Sequence, residues 1–163
     1  MAASTGARLG AKMLRTRWLV RAPIRLYRAG FGFLFGSRML MLSHTGRRSG
    51  ATRFVVLEVV DRPTPDQLII VSGFGADAQW YRNIQADPHV RVWIGTRRGI
   101  PAIATPMSSG ESAAALARYA EKHPVAWNRL RATIEEATRA PVDSLPMVHL
   151  QSLSDRDGHL ASG

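Results

Sequence analysis

Short apolar runs dominate the chain beyond residue 37. Each run is rich in Val, Ile, Leu and Met, and Gly, Pro, Asp and Ser separate it from the next, which is the pattern of short β-strands. Six short strands indicate a small β-barrel. The predicted strands span Arg38 to Thr45, Arg53 to Asp61, Gln67 to Ser72, Val90 to Ile94, Ile100 to Thr105 and Met147 to Gln151.

Helical patterns interrupt these strands at three places. Ser108 or Ser109 is a candidate cap for the second helix, and His123-Pro124 is predicted to end it. The sequence therefore predicts the α+β class, with a six-stranded barrel and flanking helices. The predicted helices span Ala78 to Ala86, Glu111 to Lys122 and Trp127 to Arg139.

The segment before the strands has a stripe of apolar residues at helical spacing, with arginines on the neighbouring face. Two interpretations fit: an amphipathic helix in a membrane interface, or a helix packed on its own domain. Its apolar runs are too short to span a bilayer, and the recurring arginines argue against a signal peptide. We expect a cytoplasmic protein with peripheral contact to the inner face of the membrane. The stripe comprises Ile24, Tyr27, Phe31, Leu34 and Phe35, beside Arg21, Arg25 and Arg28.

Charge is distributed unevenly along the chain. The formal net charge is +10, yet residues 1–57 contain eleven basic residues and no acid, so the remainder is nearly neutral. A one-signed block predicts an anionic partner such as phospholipid, nucleic acid, or a phosphorylated or polycarboxylate ligand. Its arginines alternate with Phe, Leu and Trp and match no base-reading module, so we expect an anionic membrane surface, contacted through residues 12–35, and no nucleic acid.

Several kinds of catalytic site are excluded or disfavoured. The chain has no cysteine, which excludes disulfides, thiolate nucleophiles and Cys-based metal sites, and its five histidines lack metal-ligand spacing. Glu58 is an unusual carboxylate on an apolar strand, expected to pair with an arginine or to face a cavity. We assign no catalytic side chain and no metal. A bound redox cofactor is compatible with such a chain, because it carries the reaction itself.

The sharpest motif is the turn Thr45-Gly46-Arg47-Arg48-Ser49-Gly50, followed by Arg53 and placed between two predicted strands. Its glycines free backbone N–H groups, and its guanidiniums and hydroxyls converge as an oxyanion site requires. An ordinary hairpin tip that happens to carry arginines explains the same residues.

A second motif follows the third predicted strand. Ser72-Gly73-Phe74-Gly75 leads into a short helix with Trp80-Tyr81-Arg82-Asn83. A strand end, a glycine loop and a helix start often hold a planar or phosphorylated ligand. Trp80 and Tyr81 are equally suited to a role as core anchors.

Four stretches together resemble a known family: LSHTGRRSGATRFVVLEVV, IIVSGFGADAQWYRNIQADPHVRVWIG, RYAEKHP and LPMVHLQ. They resemble the actinobacterial nitroreductase-like, deazaflavin-dependent oxidoreductases, which share the split β-barrel superfamily with FMN-binding oxidases. The resemblance covers about Leu26 to Leu153, and the TGRxSGxxR and WYRNIxADPxVxV blocks carry it.

The resemblance implies a six-stranded split barrel that binds coenzyme F-420, in preference to FMN. This cofactor is an 8-hydroxy-5-deazaflavin with a phosphate and an oligoglutamate tail. By resemblance, the anionic arm lies against Arg47, Arg48, Ser49, Gly50 and Arg53. The cofactor pocket is assigned to Ser72, Gly73, Trp80, Tyr81 and Asn83.

The resemblance implies an oxidoreductase that passes hydride to a hydrophobic acceptor such as a quinone or conjugated lipid. An alternative is a membrane-associated lipid-binding barrel with weakened cofactor use, because the loop before Trp80 lacks the lysine of quinone-reducing members. Their Tyr-rich segment is also missing, since Glu121 to Glu136 offers only Trp127. The predicted organisation is an amphipathic segment (1–36), a barrel domain (37–153) and a tail (154–163), with monomer and homodimer both open.

Overall fold

A closed barrel of six antiparallel strands forms the body of the molecule. In the computed structural model, the described residues are Ile24, Arg25, Arg28, Ala29, residues 36–138, Val142 and residues 145–153. Around the barrel the strands follow the order β1-β2-β3-β6-β5-β4, and β4 pairs with β1 to close it. The strands are β1 Met39–Thr45, β2 Thr52–Thr64, β3 Gln67–Val71, β4 His89–Ile94, β5 Arg97–Pro106 and β6 Met147–Ser152. The predicted barrel is therefore confirmed.

The barrel interior is filled by every second residue of the strands, as the period of a β-strand requires. Helix α1, Gln79–Ala86, adds Trp80, Tyr81 and Ile84 to this core. The helix contributes to the same apolar cluster as the strands, and it contacts β1 and β5. The strand residues of the cluster are Leu40, Leu42, Leu57, Leu68, Ile70, Val90, Val92, Ile94, Ala102, Ala104, Val148 and Leu150.

Two further helices pack on the outside of the barrel. Helix α2, Ser109–Lys122, begins at a capping box in which Ser108 and Glu111 bond each other's backbone N–H. Helix α3 is Pro124–Thr138, so its predicted start at Trp127 was wrong. Proline is favoured in a first helical turn, and here Pro124 both follows the end of α2 and begins α3. Their apolar faces cover outward residues of β2, β3 and β6, among them Val60, Ile69, Val71 and Met147.

Little of the amino-terminal stripe falls among the described residues. Ile24 is half-buried and Arg25 is exposed, whereas Tyr27, Phe31, Leu34 and Phe35 lie outside the described residues, as do Arg21, Lys12 and the predicted tail. The Arg28 guanidinium lies 5.3 Å from the centre of the Phe54 ring. Arg98 Nη2 donates to the carbonyl oxygen of Arg28 at 3.2 Å. This point of the segment therefore contacts the barrel wall.

Among the described residues, no helix is long and apolar enough to cross a membrane.

Candidate functional site

The turn between β1 and β2 is closed by its own backbone. Gly46 N donates to the Ala51 carbonyl at 2.8 Å, and Gly50 N donates to the Gly46 carbonyl at 2.8 Å. Gly50 has φ of +66°, which favours glycine. A Cβ on Gly46 would lie 2.8 Å from Ser49 Oγ and 3.0 Å from Arg53 Nε. Glycine at this position therefore lets Arg53 and Ser49 approach the turn closely.

Arg47 connects this turn to helix α1. Its backbone N–H donates to Asn83 Oδ1 at 3.2 Å, and its Nη1 donates to the same oxygen at 2.9 Å. Nη1 also donates to Gln79 Oε1 at 3.0 Å. Asn83 is buried, with 3% of its surface exposed. Two side chains one helical turn apart therefore hold Arg47 on α1.

A cavity of about 270 Å³ opens beside this connection. It brings together Arg47, Arg48 and Arg53, and none of the described residues that line it carries a carboxylate. None of the three guanidiniums forms a salt bridge with any described acid. The positive charge is therefore uncompensated and suits an anion with several oxygens. The lining consists of Gly46, Arg47, Arg48, Ser49, Arg53, Gln79 and Asn83.

His44, near the end of β1, contacts the cavity residue Asn83. It is 5% exposed, and its Nδ1 lies 3.1 Å from Asn83 Nδ2. Burial, with a smaller contribution from the positive charge of Arg53, lowers the pKa of His44 to about 4. His44 is therefore neutral at physiological pH.

The hydrogen-bond network also assigns the tautomer of His44. Asn83 Oδ1 already accepts from Arg47, so the Asn83 amide nitrogen faces the ring and donates to Nδ1, which leaves the proton on Nε2. His44 and Gln79 are site residues that the sequence analysis did not assign. One signal was available for His44, since it shares the inward alternation of Leu40 and Leu42 and directly precedes the turn.

The second predicted motif lies in the loop between β3 and α1. Ser72 is fully buried, and its Oγ donates to the Gly75 carbonyl at 2.7 Å, so its hydroxyl bonds to its own loop. A Cβ on Gly73 would lie 3.4 Å from Ile134 Cδ1, so this loop packs closely on α3. Phe74, between these glycines, is 70% exposed.

Trp80 and Tyr81 lie in the barrel core. They are 7% and 8% exposed, and their rings meet edge to face with centres 5.9 Å apart. Arg82 is on the opposite, exposed side and pairs with Asp77. The core-anchor interpretation therefore describes the position of both aromatic residues, and contact between them and a cofactor stays a prediction.

The structure thus brings five of the ten predicted site residues to one cavity: Arg47, Arg48, Ser49, Arg53 and Asn83. Gly50 closes the adjoining turn, whereas Ser72 and Gly73 belong to a different loop. No group of His, Asp and Glu among the described residues is arranged to hold a metal ion.

Comparison with known proteins gives one family and several similar structures. The family model described as F420H(2)-dependent quinone reductase matches residues 19–139. A structure described as a domain-swapped dimer is similar at 19% identity and TM-score 0.53, covering 84% of this chain and 99% of that one. HutZ, a heme storage protein from Vibrio cholerae, is similar at 12% identity and TM-score 0.52, covering 75% of this chain and 86% of its own.

A third structure, the F420-H2 dependent reductase FDR-A, has 22% identity and TM-score 0.49, covering 70% of this chain and 94% of that one. No curated protein matches the chain.

Proposed function

Because the chain belongs to the F420H(2)-dependent quinone reductase family, we propose that it reduces a hydrophobic acceptor of the quinone type. Membership makes it an oxidoreductase with coenzyme F-420 as its cofactor. The observation that carries the site assignment is the cavity with three uncompensated arginines. A phosphate followed by several carboxylates is a ligand that such a cluster suits, because planar guanidiniums bind both groups through paired hydrogen bonds.

The residues of the cavity have different roles in this proposal. Arg48 and Arg53 have no bonds to other described side chains and bind the anionic arm directly. Arg47 is already bonded to Gln79 and Asn83, so it contributes charge from a fixed position. Ser49 Oγ, which accepts from Ala51 N at 3.3 Å, has its own proton available for a phosphate oxygen. The residues present therefore fit the cofactor's charged arm.

The chemistry is divided between the cofactor and the protein. When bound, the reduced deazaflavin supplies a hydride from its C5 carbon. The protein binds and orients it, and the neutral His44 keeps Asn83 turned toward Arg47 without adding charge. Ser72, Gly73, Trp80 and Tyr81 are proposed to border the ring system. The proton that accompanies the hydride comes from solvent in this proposal.

Anaerobic spectroscopy tests the proposed function. Reduced F-420 is mixed with the full-length protein and a quinone such as menadione, and the return of the oxidised deazaflavin absorbance is followed. Enzyme-dependent oxidation that requires the quinone is the expected result. Failure of F-420 to bind at tens of micromolar concentrations, or no acceleration over the protein-free rate, would contradict the proposal.

We also propose a location for the reaction. The basic segment through residues 12–35 is suited to the anionic inner face of a membrane, where a hydrophobic acceptor dissolves. Arg25, which is exposed, is available for such a contact, whereas Arg28 packs on Phe54. Vesicle binding tests this location.

A further inference from the structure

One outer wall of the barrel lies across the ring of strands from the two packed helices. Helices α2 and α3 cover outward residues of β2, β3 and β6, whereas β1 and β4 lie on the other side of the closed ring. A groove of about 450 Å³ runs along this second side. Its described lining contains no residue of α2 or α3, and none of the ten residues predicted to bind the cofactor. We call this side the outer wall, formed by Ser43, Phe54, Arg91, Trp93, Pro101 and Leu153.

Strand register places aromatic and apolar side chains together on the outer wall. Ser43 of β1 lies opposite both Phe54 of β2 and Arg91 of β4, so the three side chains share the outer face. Pro101 of β5 continues this row beyond Arg91 and is exposed. Trp93 is two residues along β4 from Arg91, and its ring meets the Phe54 ring edge to face with centres 6.0 Å apart. A pair of aromatic rings beside an exposed proline is therefore presented to the outside.

The basic residues of this wall have no acidic partners. The guanidiniums of Arg28, Arg91 and Arg98 form no salt bridge with any acid in the part of the chain that the structure describes. Arg91 Nη1 donates to the Gly99 carbonyl, and Arg98 Nη2 donates to the Arg28 carbonyl, both at 3.2 Å. The described lining of the groove contains no carboxylate. The positive charge of the outer wall is therefore uncompensated.

Two arginines beside α2 and α3 are arranged differently. Arg38 Nη2 lies 3.8 Å from Glu58 Oε1, which is the arginine pairing expected for this carboxylate. Arg118 Nε lies 4.0 Å from Asp61 Oδ2. These two charges are balanced locally, whereas those of the outer wall are not. An anionic partner is therefore attracted to the wall that also presents the aromatic rings.

An anionic lipid surface fits the outer wall better than a second copy of the chain does. Aromatic rings beside guanidiniums suit a membrane interface, where the rings enter the headgroup boundary and the guanidiniums meet lipid phosphates. A two-fold dimer would place the same patch on both partners, so Arg91 and Arg98 would meet like charges. The basic amino-terminal segment also reaches this wall, because the Arg28 guanidinium lies 5.3 Å from the centre of the Phe54 ring.

We propose that the outer wall is the face with which the barrel rests on an anionic membrane. Trp93 and Pro101 contact the headgroup region, and Arg91 and Arg98 bind lipid phosphates. The inference rests on the proposed membrane location and extends it from residues 12–35 to one face of the barrel. It does not depend on the reduction of any acceptor.

A single label reports which face meets the membrane. The chain has no cysteine, so Pro101→Cys and Ala117→Cys each create one unique attachment site, on the outer wall and on the exposed face of α2. A nitrobenzoxadiazole fluorophore is attached, and vesicles of phosphatidylserine and phosphatidylcholine in equal amounts are added. The label at residue 101 should brighten and shift to the blue, while the label at residue 117 stays unchanged. No change at residue 101, or an equal change at residue 117, would overturn the inference.

Paired charge variants test the same face without a label. Replacing Arg91 and Arg98 with glutamine should weaken binding of the full-length protein to these vesicles by about 30-fold. Replacing Arg62 and Arg97 is the matched control, because Arg97 adjoins Arg98 in sequence but donates to the Pro65 carbonyl at 3.5 Å. This control pair should bind as the wild type does. Equal weakening in both pairs would mean that net charge alone attracts the protein, and would overturn the assignment of the face.

Further results separate this inference from the proposed function. Urea unfolding checks that each variant is folded, and if Pro101→Cys is not, the charge pairs decide. If the label at residue 101 does not respond to vesicles while reduced F-420 still reduces menadione, the function stands and the wall assignment fails. If the label responds but menadione is not reduced, the wall assignment stands and the function fails. A blue shift that grows with protein concentration in the absence of lipid would assign the wall to a second copy and overturn the inference.

Discussion

Asn83 joins three parts of the molecule through one side chain. Its oxygen accepts twice from Arg47, and its nitrogen donates to His44, so the turn, helix α1 and strand β1 meet at a single amide. The side chain is buried, which makes each of these bonds costly to lose. At the scale of single residues, a substitution of Arg47 should therefore change both cofactor binding and the stability of the fold, whereas a substitution of Arg48 should change cofactor binding alone.

The two arginines should respond differently to substitution. Arg48→Ala should weaken F-420 binding by about 1.5 to 3 kcal/mol with unchanged stability, because a charge-assisted hydrogen bond is lost from an exposed side chain. Arg47→Ala should weaken binding and also destabilise the fold by about 1 to 3 kcal/mol, because the buried Asn83 oxygen loses its donors. Cofactor titration and urea unfolding measure the two effects. Arg62→Ala, an exposed arginine away from the cavity, is the control.

Arg53→Ala should resemble Arg48→Ala in affinity, since Arg53 also lines the cavity. Unlike Arg48→Ala, it should also raise the pKa of His44, because the Arg53 charge is one of the causes that lower this pKa. Unchanged F-420 affinity in a variant lacking all three arginines would remove the site assignment.

His44 should make stability depend on pH. Its pKa is about 4 in the folded protein and 6.5 in the reference state, so the unfolded chain binds the proton first as pH falls. A group whose folded pKa is depressed costs stability as pH drops below its unfolded value. We expect about 2 kcal/mol to be lost between about pH 7 and pH 5 from this histidine alone.

Urea unfolding at several pH values measures this loss. The acids of the chain also contribute to the slope, so the informative quantity is the difference between the wild type and His44→Gln. Glutamine retains an acceptor for Asn83 and does not titrate. Equal slopes for the two proteins would contradict the burial of a neutral His44.

At the scale of elements, the two glycines of the β1–β2 turn are required for different reasons: Gly50 for its positive φ, and Gly46 for the close approach of neighbouring side chains. Gly50→Ala places a side chain at φ +66° with nothing within 4 Å, so it should cost about 1 kcal/mol of stability and leave binding intact. Gly46→Ala places its Cβ 3.0 Å from Arg53 Nε and 2.8 Å from Ser49 Oγ. It should displace both side chains and lower F-420 affinity. The reverse order of effects on affinity would mean that Arg53 does not contact the cofactor.

Helix α1 provides the second comparison at this scale. Trp80→Ala should reduce F-420 affinity more than Arg82→Ala, because Arg82 is exposed and pairs with Asp77. Trp80 also fills the barrel core, so truncation to alanine should cost about 3 to 5 kcal/mol of stability. Trp80→Phe keeps most of the core volume. If its affinity matches the wild type while Arg82→Ala weakens binding, the helix does not present Trp80 to the cofactor.

The strands and the arginine turn could be predicted because their signals are local. Alternation in β4 follows directly from which face is buried, β1 begins with a continuous apolar run because it is buried on both faces, and Gly46 and Gly50 mark the turn. The Arg47–Asn83 bond joins residues 36 positions apart, so no local pattern contains it. The start of α3 was missed because Pro124 follows the end of one helix and begins the next. A sequence rule that takes proline as a sign of helix termination predicts the end of the first helix but not the start of the second.

At the scale of the whole molecule, the positive charge lies toward one end of the chain, and one residue of that end already contacts the barrel. The Arg28 guanidinium packs on the Phe54 ring, and Arg98 donates a hydrogen bond to the carbonyl oxygen of Arg28. A cation–π contact of this kind contributes about 0.5 to 1 kcal/mol. That small free energy is no obstacle to the proposed role of the segment at an anionic surface. The proposed membrane contact therefore does not require this one contact with the barrel to break.

Vesicle binding should consequently depend on the arginines that precede this contact. Each basic residue near an anionic membrane contributes about 1 kcal/mol, so replacing Arg17 and Arg21 with glutamine should weaken binding to phosphatidylserine vesicles by about 30-fold. Binding should also fall as salt rises, because the attraction acts over a Debye length. Arg62 and Arg97, both exposed on the barrel, provide a control pair that removes the same charge.

A truncated variant that begins at Ser37 completes the argument. All six strands begin after this residue, so the variant should fold and bind F-420 while it loses most vesicle affinity. Loss of the Arg28–Phe54 cation–π contact should by itself lower its stability by about 0.5 to 1 kcal/mol. If the variant aggregates and the full-length protein ignores anionic vesicles, the apolar stripe belongs to the barrel's own packing. Equal loss of vesicle binding in both charge-matched pairs would instead assign the attraction to net charge alone, with no special role for residues 12–35.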